Sequence, residues 1–237
     1  MTTTPLWSLI ATTLRSEISA GLYRPGDRLP TETALARRFG VNRHTVRHAL
    51  SGLIEDGTIT TRRGAGAFVS CAPTEYPLGR RVRFHQNLAA AGRLPEKRFL
   101  HIETRAADTD ESQALALPPN APVHRVEGIS FADGLPIAHF ISTFPATDLP
   151  DLPAHLHRTG SVTQALAACG ITDYTRASTR LSARRATALQ ARHLMLREGD
   201  PVLFSIGINI GPAGQPVELG QTAFAGDHVT LSILPDA

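Results

Sequence analysis

Residues 26–50 read GDRLPTETALARRFGVNRHTVRHAL, and this stretch decides the fold of the first third of the chain. Thr31 follows Leu29-Pro30 and can cap a helix whose apolar side is Leu35, Ala36 and Phe39. Gly40 ends that helix, and Asn42 can cap another over roughly residues 43–56. Two helices separated by a Gly turn of about four residues form a helix-turn-helix pattern. At about 100° per residue, Val46, Ala49, Leu50, Leu53 and Ile54 share one side of the second of these helices. His44, Thr45, Arg47, His48 and Ser51 fill the opposite arc, with Arg43 at its edge. Such a face offers donors to phosphates and base edges; a merely solvated helix face has the same composition.

Working outward, Leu6, Leu9, Ile10, Leu14 and Ile18 recur at helical spacing, with Gly21 placed as a stop and Pro25-Gly26-Asp27 as a turn. Downstream, Thr58–Arg62 and Ala67–Ser70 read as strands joined by Arg63-Gly64-Ala65-Gly66, a hairpin with arginines beside its tip. Helix-turn-helix followed by a basic hairpin is a winged helix. Its third helix enters the major groove, and its wing approaches the minor groove or backbone.

The charge agrees with that division. Residues 1–70 hold nine Arg and five Asp or Glu, a balance of +4; residues 71–237 balance at −1, and the 237-residue chain carries +3. A basic excess confined to the first third suits a separate domain facing an anionic partner. Lys97 is the only lysine. With 42% hydrophobic and 19% charged residues the chain reads as soluble and folded. No window is apolar enough for a membrane span, and the N-terminus lacks a signal-peptide pattern. Two cysteines, Cys71 and Cys169, make neither a disulfide framework nor a four-cysteine zinc site. The expectation is a cytoplasmic protein without metal or cofactor.

Gly26-Asp27-Arg28-Leu29-Pro30-Thr31-Glu32, Leu35-Ala36-Arg37-Arg38-Phe39-Gly40-Val41, Asn42-Arg43-His44-Thr45-Val46-Arg47 and Arg63-Gly64-Ala65-Gly66-Ala67-Phe68-Val69 together resemble the winged helix of GntR-family transcription regulators. The resemblance covers nearly all of residues 5–70. It implies that Arg28, Thr31, Glu32, Arg43, Thr45, Arg47 and Gly66 lie at or near DNA, and the polar face of the third helix and the basic hairpin add His44 and Arg63 to the expected contacts. Glu32, an acid beside a polyanion, is read as orienting Arg43 or Arg47.

Cys71 to Pro77 is Pro-bearing and poor in apolar residues, which places a linker over residues 71–80 between domains at 1–70 and 81–237. Beyond it, strand-like runs (Phe99–Arg105, Val123–Phe131, Ile137–Thr143, Tyr174–Ser182, Val202–Ile210, Val217–Ala225, His228–Ile233) mix with helix-like ones (Asn87–Ala91, Asp110–Ala116, Ser161–Ala168, Arg185–Leu194). Short turns between neighbouring strands, without a regular strand–helix repeat, predict an antiparallel sheet with helices on one side, and hence an α+β chain. No Gly-x-Ser-x-Gly, Walker loop, His-Glu-x-x-His or Rossmann fingerprint is present. His155 and His157 sit in a Pro-flanked stretch that reads as loop, and Cys169 reads as a packing residue. Alternation puts Tyr174, Arg176, Ser178, Arg180 and Ser182 on one side of a strand. That row could hold a small oxyanion or be a solvated, salt-bridged face.

Val123-x-Arg125, Ser130-x-Ala132-Asp133-Gly134-x-Pro136, Gly160-Ser161-Val162-Thr163 and Gly214-x-Pro216-Val217-Glu218 through Asp227 resemble the effector-binding UTRA domain, of chorismate-lyase-like fold, in the HutC branch of GntR regulators. Tyr76-Pro77-Leu78, Arg83-Phe84-x-Gln86-Asn87-Leu88 and Thr179 through Ala186 are similar to regulators of phosphonate metabolism. The resemblance implies backbone N–H groups at Phe84 and His85, hydroxyls of Ser161 and Thr163 at a helix N-terminus, and Glu218 as an acceptor. Two positions depart from sugar-phosphate-sensing relatives. Gly128 and Ser130 stand where those carry Arg-x-Arg, and Phe224 stands where they carry Tyr. The departures point away from a sugar phosphate and leave the anion to Arg125, Arg180 or Arg184.

These readings lead to a homodimeric repressor that binds an inverted-repeat operator in double-stranded DNA and responds to a small anion of the phosphonate or phosphate class. The alternatives are a chorismate-lyase-like enzyme domain fused to a DNA-binding module and a constitutive DNA-binding dimer without an effector.

Overall fold

The computed structural model describes residues 5–62, 66–70, 73–79, 84–90 and 92–233. The chain divides into two compact units, Met1–Ala72 and Pro73–Ala237.

The first unit has three helices, α1 (Leu6–Ser19), α2 (Glu32–Phe39) and α3 (Arg43–Glu55), followed by β1 (Ile59–Arg62) and β2 (Gly66–Val69). The caps lie where residue chemistry puts them. The Thr31 hydroxyl accepts from Ala34 N–H at 3.2 Å, and Asn42 Oδ1 accepts from Thr45 N–H at 2.8 Å. Gly40 takes φ = 64°, a left-handed conformation that glycine adopts without steric cost and that stops α2. Leu14, Leu35, Val46, Ala49 and Leu53 have no exposed surface and form the core of the three-helix packing. β1 and β2 pair antiparallel, and the segment before α2 joins them. Leu29 N–H donates to Ala67 O at 2.8 Å, and Val69 N–H donates to Asp27 O at 2.9 Å. The wing is thereby hydrogen-bonded to the lead-in of the helix-turn-helix.

The second unit contains β3 (Thr74–Pro77), α4 (Phe84–Ala90), β4 (Pro95–Ala106), α5 (Thr109–Ala114), β5 (Pro122–Ala132), β6 (Leu135–Pro145), α6 (Leu152–Thr159), α7 (Val162–Ala168), β7 (Thr175–Arg185), α8 (Ala188–Leu194), β8 (Pro201–Ile210), β9 (Pro216–Ala225) and β10 (Val229–Ser232). Six strands form one antiparallel sheet in the order β4-β5-β6-β9-β8-β7, so β4 and β7 are its edges. β3 and β10 pair parallel in a separate ribbon.

Four sequence expectations are corrected. Thr74–Pro77, assigned to the linker, is a strand paired with the far end of the chain. His155 and His157 lie in a helix, α6, with Pro153 in its first turn, where the missing N–H is no loss. Arg185 ends a strand, and α8 begins at Ala188 after a capping box from Thr187 and Gln190. Helices also cover both faces of the sheet rather than one. α6 and α7 pack with Val126, Phe140 and Phe144. On the opposite face α8 packs with Val202 and Ala225, and Leu115, just beyond α5, packs with Val123 and Leu219. The burial of almost every residue along β6 requires that double cover.

Candidate DNA interface and effector cavity

In the first unit a groove of about 520 Å³ lies between the helix-turn-helix and the wing, lined by Arg28, Thr31, Glu32, Arg43, Arg47, Ser51, Thr61 and Gly66 among others. Glu32 is its organising acid. It accepts from Arg47 Nη2 at 2.9 Å and Nε at 3.2 Å, and from Arg43 Nη2 at 3.4 Å. These bonds, Arg47's first, hold the Glu32 carboxyl below its ordinary pKa despite some desolvation. The orienting role read for Glu32 thus has both arginines as partners. Both guanidiniums remain more than half exposed, at 61% for Arg43 and 57% for Arg47, with donors free for phosphate or base edges. His44 is exposed, whereas the Thr45 hydroxyl is tied back to the cap, donating to Asn42 Oδ1 at 3.0 Å. Gly66 has φ = 104°, and a Cβ there would lie 3.2 Å from Arg28 Nε, so this glycine lets the arginine rest against the wing. Arg63 lies outside the described residues. His48, on the same polar arc, is stacked on Trp7 with ring centroids 4.4 Å apart.

In the second unit a cavity of about 90 Å³ is bounded by β3, α4, the sheet and the start of α7. Phe84, Ser130, Ser161, Thr163, Glu218 and Phe224 all line it. Ser161 caps α7, and the Thr163 hydroxyl lies 3.1 Å from Tyr174 Oη. Glu218 is buried and satisfied: it accepts from Ser142 Oγ at 2.6 Å and Asn209 Nδ2 at 2.7 Å. His85 belongs to α4, but its side chain lies outside the described residues.

The three arginines nominated for the anion are elsewhere. Arg125 projects from the opposite face of the sheet, 3.1 Å from Glu127 and 3.8 Å from Glu103. Arg180 and Arg184 also face away, opposite Ile206 and Val202, and Arg184 lies 3.7 Å over the Phe204 ring. The cause is a register shift between Arg176 and Ser178: an extra residue, Ala177, breaks the alternation and sends the two ends of the row to opposite faces. Arg176, before the shift, is left on the cavity face.

Among the described residues, Arg176 and Lys97 are the cations that line the cavity. Arg176 runs across β8 at Gly207, where a Cβ would sit 1.4 Å from Nη1, so the path exists only because residue 207 is glycine. Arg176 Nε is buried without a hydrogen-bond partner. Lys97 stands directly opposite Ser130, with Nζ 4.4 Å from the Phe140 ring centroid and 5.1 Å from that of Phe84. Burial pulls its pKa down to about 8, against the opposing pull of Glu218. At Gly128 the ring of Phe140 fills the room a side chain would need, with a Cβ 2.6 Å from its Cζ. Among the described residues the cavity's positive charge therefore comes from the edge strands β4 and β7, not from β5. Lys97 was legible as a chemical oddity, the single lysine, but nothing local pointed it at the cavity.

Among the described residues one group, Glu127, His139 and His193, brings three metal-ligand atoms within 4.8 Å of one another. His139 Nε2 is 2.9 Å from Glu127, and its ring stacks on His193 at 18°. The trio, one hydrogen-bonded pair with a stacked imidazole beside it, lies on the face opposite the cavity. No helix among the described residues is long and apolar enough to cross a membrane.

Residues 8–69 match the family described as bacterial regulatory proteins, gntR family, and residues 90–230 match the UTRA domain. The chain belongs to the GntR family. As a GntR regulator with a UTRA domain it is a transcriptional regulator of HutC type, binding DNA through the first unit and a small-molecule effector through the second, and not an enzyme. It is 38% identical over 229 residues to an HTH-type transcriptional regulator of Rhizobium meliloti (strain 1021), covering 96% of this chain and 94% of that protein. It is 35% identical over 183 residues to the probable transcriptional regulator PhnF of Escherichia coli, covering 76% and 75%. The crystal structure of PhnF from Mycobacterium smegmatis, 24% identical, superposes with a TM-score of 0.66 over 94% of this chain and 99% of that one, which shows the shared fold.

Proposed function

We propose that this GntR regulator is a repressor that binds an inverted-repeat operator as a homodimer and releases it when a small anion of the phosphonate or phosphate class enters the second unit. The single observation that carries the effector class is the buried, partnerless Nε of Arg176 facing a cavity that also holds Lys97 and a ring of hydroxyls from Ser130, Ser142, Ser161, Thr163, Ser205 and Thr222. A buried donor without a partner is costly, and an oxyanion relieves that cost with a charge-assisted bond. The small volume favours a compound of few heavy atoms. Tyr76, Leu78 and Phe84, from the segments similar to phosphonate-metabolism regulators, border the same cavity. Protein two-fold symmetry maps onto operator symmetry, which is the reason to expect an inverted repeat.

The test is operator binding in a gel-shift or anisotropy titration with methylphosphonate and inorganic phosphate. Release of the wild type by one of them, with an Arg176→Met protein that binds the operator normally but does not respond, supports the reading. Operator affinity indifferent to every anion in both proteins refutes it.

A further inference from the structure

Of the 24 basic residues, 23 are arginine, and the one lysine, Lys97, lies in the effector cavity. A guanidinium would supply charge there at least as well, and with better oxyanion geometry. What an amine adds is nucleophilicity, because it can lose its proton and arginine cannot. We infer that Lys97 is a covalent reading residue, forming a reversible imine with a small anion that carries an aldehyde, while the anion's acid group lies on Arg176. This deepens the anionic-effector proposal and rests on it.

The surroundings suit such a step. Nζ lies 4.4 Å from the Phe140 ring centroid and 5.1 Å from that of Phe84, so two aromatic rings border the amine. No carboxylate holds it in an ion pair among the described residues, since both oxygens of Glu218 are engaged by Ser142 and Asn209. The opposite charge of the ligand has its own partner in Arg176, so the amine is not consumed in holding it. Burial lowers the pKa of Lys97 to about 8, so more of the side chain is free amine near neutral pH than for an unperturbed lysine. Desolvation is one of the recognised ways of activating a lysine toward carbonyls.

The step balances without an outside reagent. The lone pair of Nζ forms a C–N bond at the aldehyde carbon. The carbonyl oxygen leaves as water, taking the two amine hydrogens, and C=N replaces C=O. A proton from solvent gives the iminium, so the cavity keeps its positive charge. No oxidation or reduction occurs, and hydrolysis reverses the bond when the effector is depleted.

The full chain is incubated with glyoxylate or with phosphonoacetaldehyde, an aldehyde on a carboxylate and on a phosphonate respectively, in the presence of sodium cyanoborohydride. Reduced adducts are located by peptide mass mapping, and binding of the same anions is followed by calorimetry. The expected result is one adduct on Lys97, formed faster than on the N-terminal amine and absent from Lys97→Arg; the better probe identifies the acid group. Anion binding with an adduct only on the N-terminal amine overturns the imine but leaves the effector reading standing. A Lys97 adduct that forms as fast in the urea-unfolded chain overturns the imine too, because it shows ordinary lysine reactivity. Absence of any anion binding overturns both.

Discussion

Glu32 shows how a carboxylate can serve the proposed operator-binding surface. It gathers Arg47 and Arg43 onto one side of the groove and leaves most of each guanidinium in solvent. Arg47→Ala is expected to weaken operator binding by about 1–3 kcal/mol if the side chain reads a base edge. If it meets phosphate, the loss is uniform across sequences and the salt slope falls by about one. Anisotropy at several salt concentrations separates these outcomes. Glu32→Gln is expected to lower affinity as well, although it removes a negative charge, because it releases two positioned arginines. In the second unit, Gly207→Ala places a methyl group where Arg176 Nη1 now lies. The side chain must leave its path, so the effector response is expected to be lost while far-UV circular dichroism and apo operator affinity stay as they were. Arg180→Ala and Arg184→Ala, on the other face, are expected to respond normally in the same titration.

At the level of elements, the first unit was largely legible because its signals are local. Thr31, Gly40 and Asn42 act within one turn of their own positions, and of the apolar side of α3 Val46, Ala49, Leu50 and Leu53 are buried while Ile54 is exposed. The second unit was legible in its strands but not in their faces. One inserted residue at Ala177 reverses the side-chain sense of β7, and periodicity alone cannot register a bulge. The parallel pairing of β3 with β10 joins residues more than a hundred positions apart, so the stretch before α4 read as linker. α6 was missed because Pro153 reads as a breaker unless it is known to fall in a first turn. Helix packing in the first unit makes its own prediction: Leu53→Ala, at a fully buried position of α3, is expected to cost about 2–5 kcal/mol in a denaturant titration. Asp56, just after α3, accepts from Thr58 Oγ1 at 2.5 Å and pairs with Arg15, which lowers its pKa to about 2. A depressed carboxyl stabilises the fold above its unfolded pKa near 4, and that contribution is lost as pH falls toward 2. Fluorescence of Trp7, the only tryptophan, is expected to show a smaller loss of first-unit stability across that window in Asp56→Asn than in the wild type.

On the scale of the whole molecule, the proposed function is a coupling between an operator-binding unit and an anion-binding one. Such couplings are typically about 1–3 kcal/mol, or roughly 5- to 150-fold in affinity, and are reciprocal. Saturating effector is therefore expected to weaken operator binding by a factor in that range, and saturating operator to weaken effector binding by the same factor. Calorimetric titration of effector into the free protein and into the operator complex checks the equality. A ligand that binds tightly but equally well to both forms would shift nothing.

The most direct measurement is operator affinity of the wild type and of Arg176→Met, each titrated with methylphosphonate, inorganic phosphate and the two aldehyde anions. Both proteins are expected to hold the operator equally in the absence of anion, and at least one anion is expected to release only the wild type. Equal release of both proteins, or release of neither, would contradict the proposal.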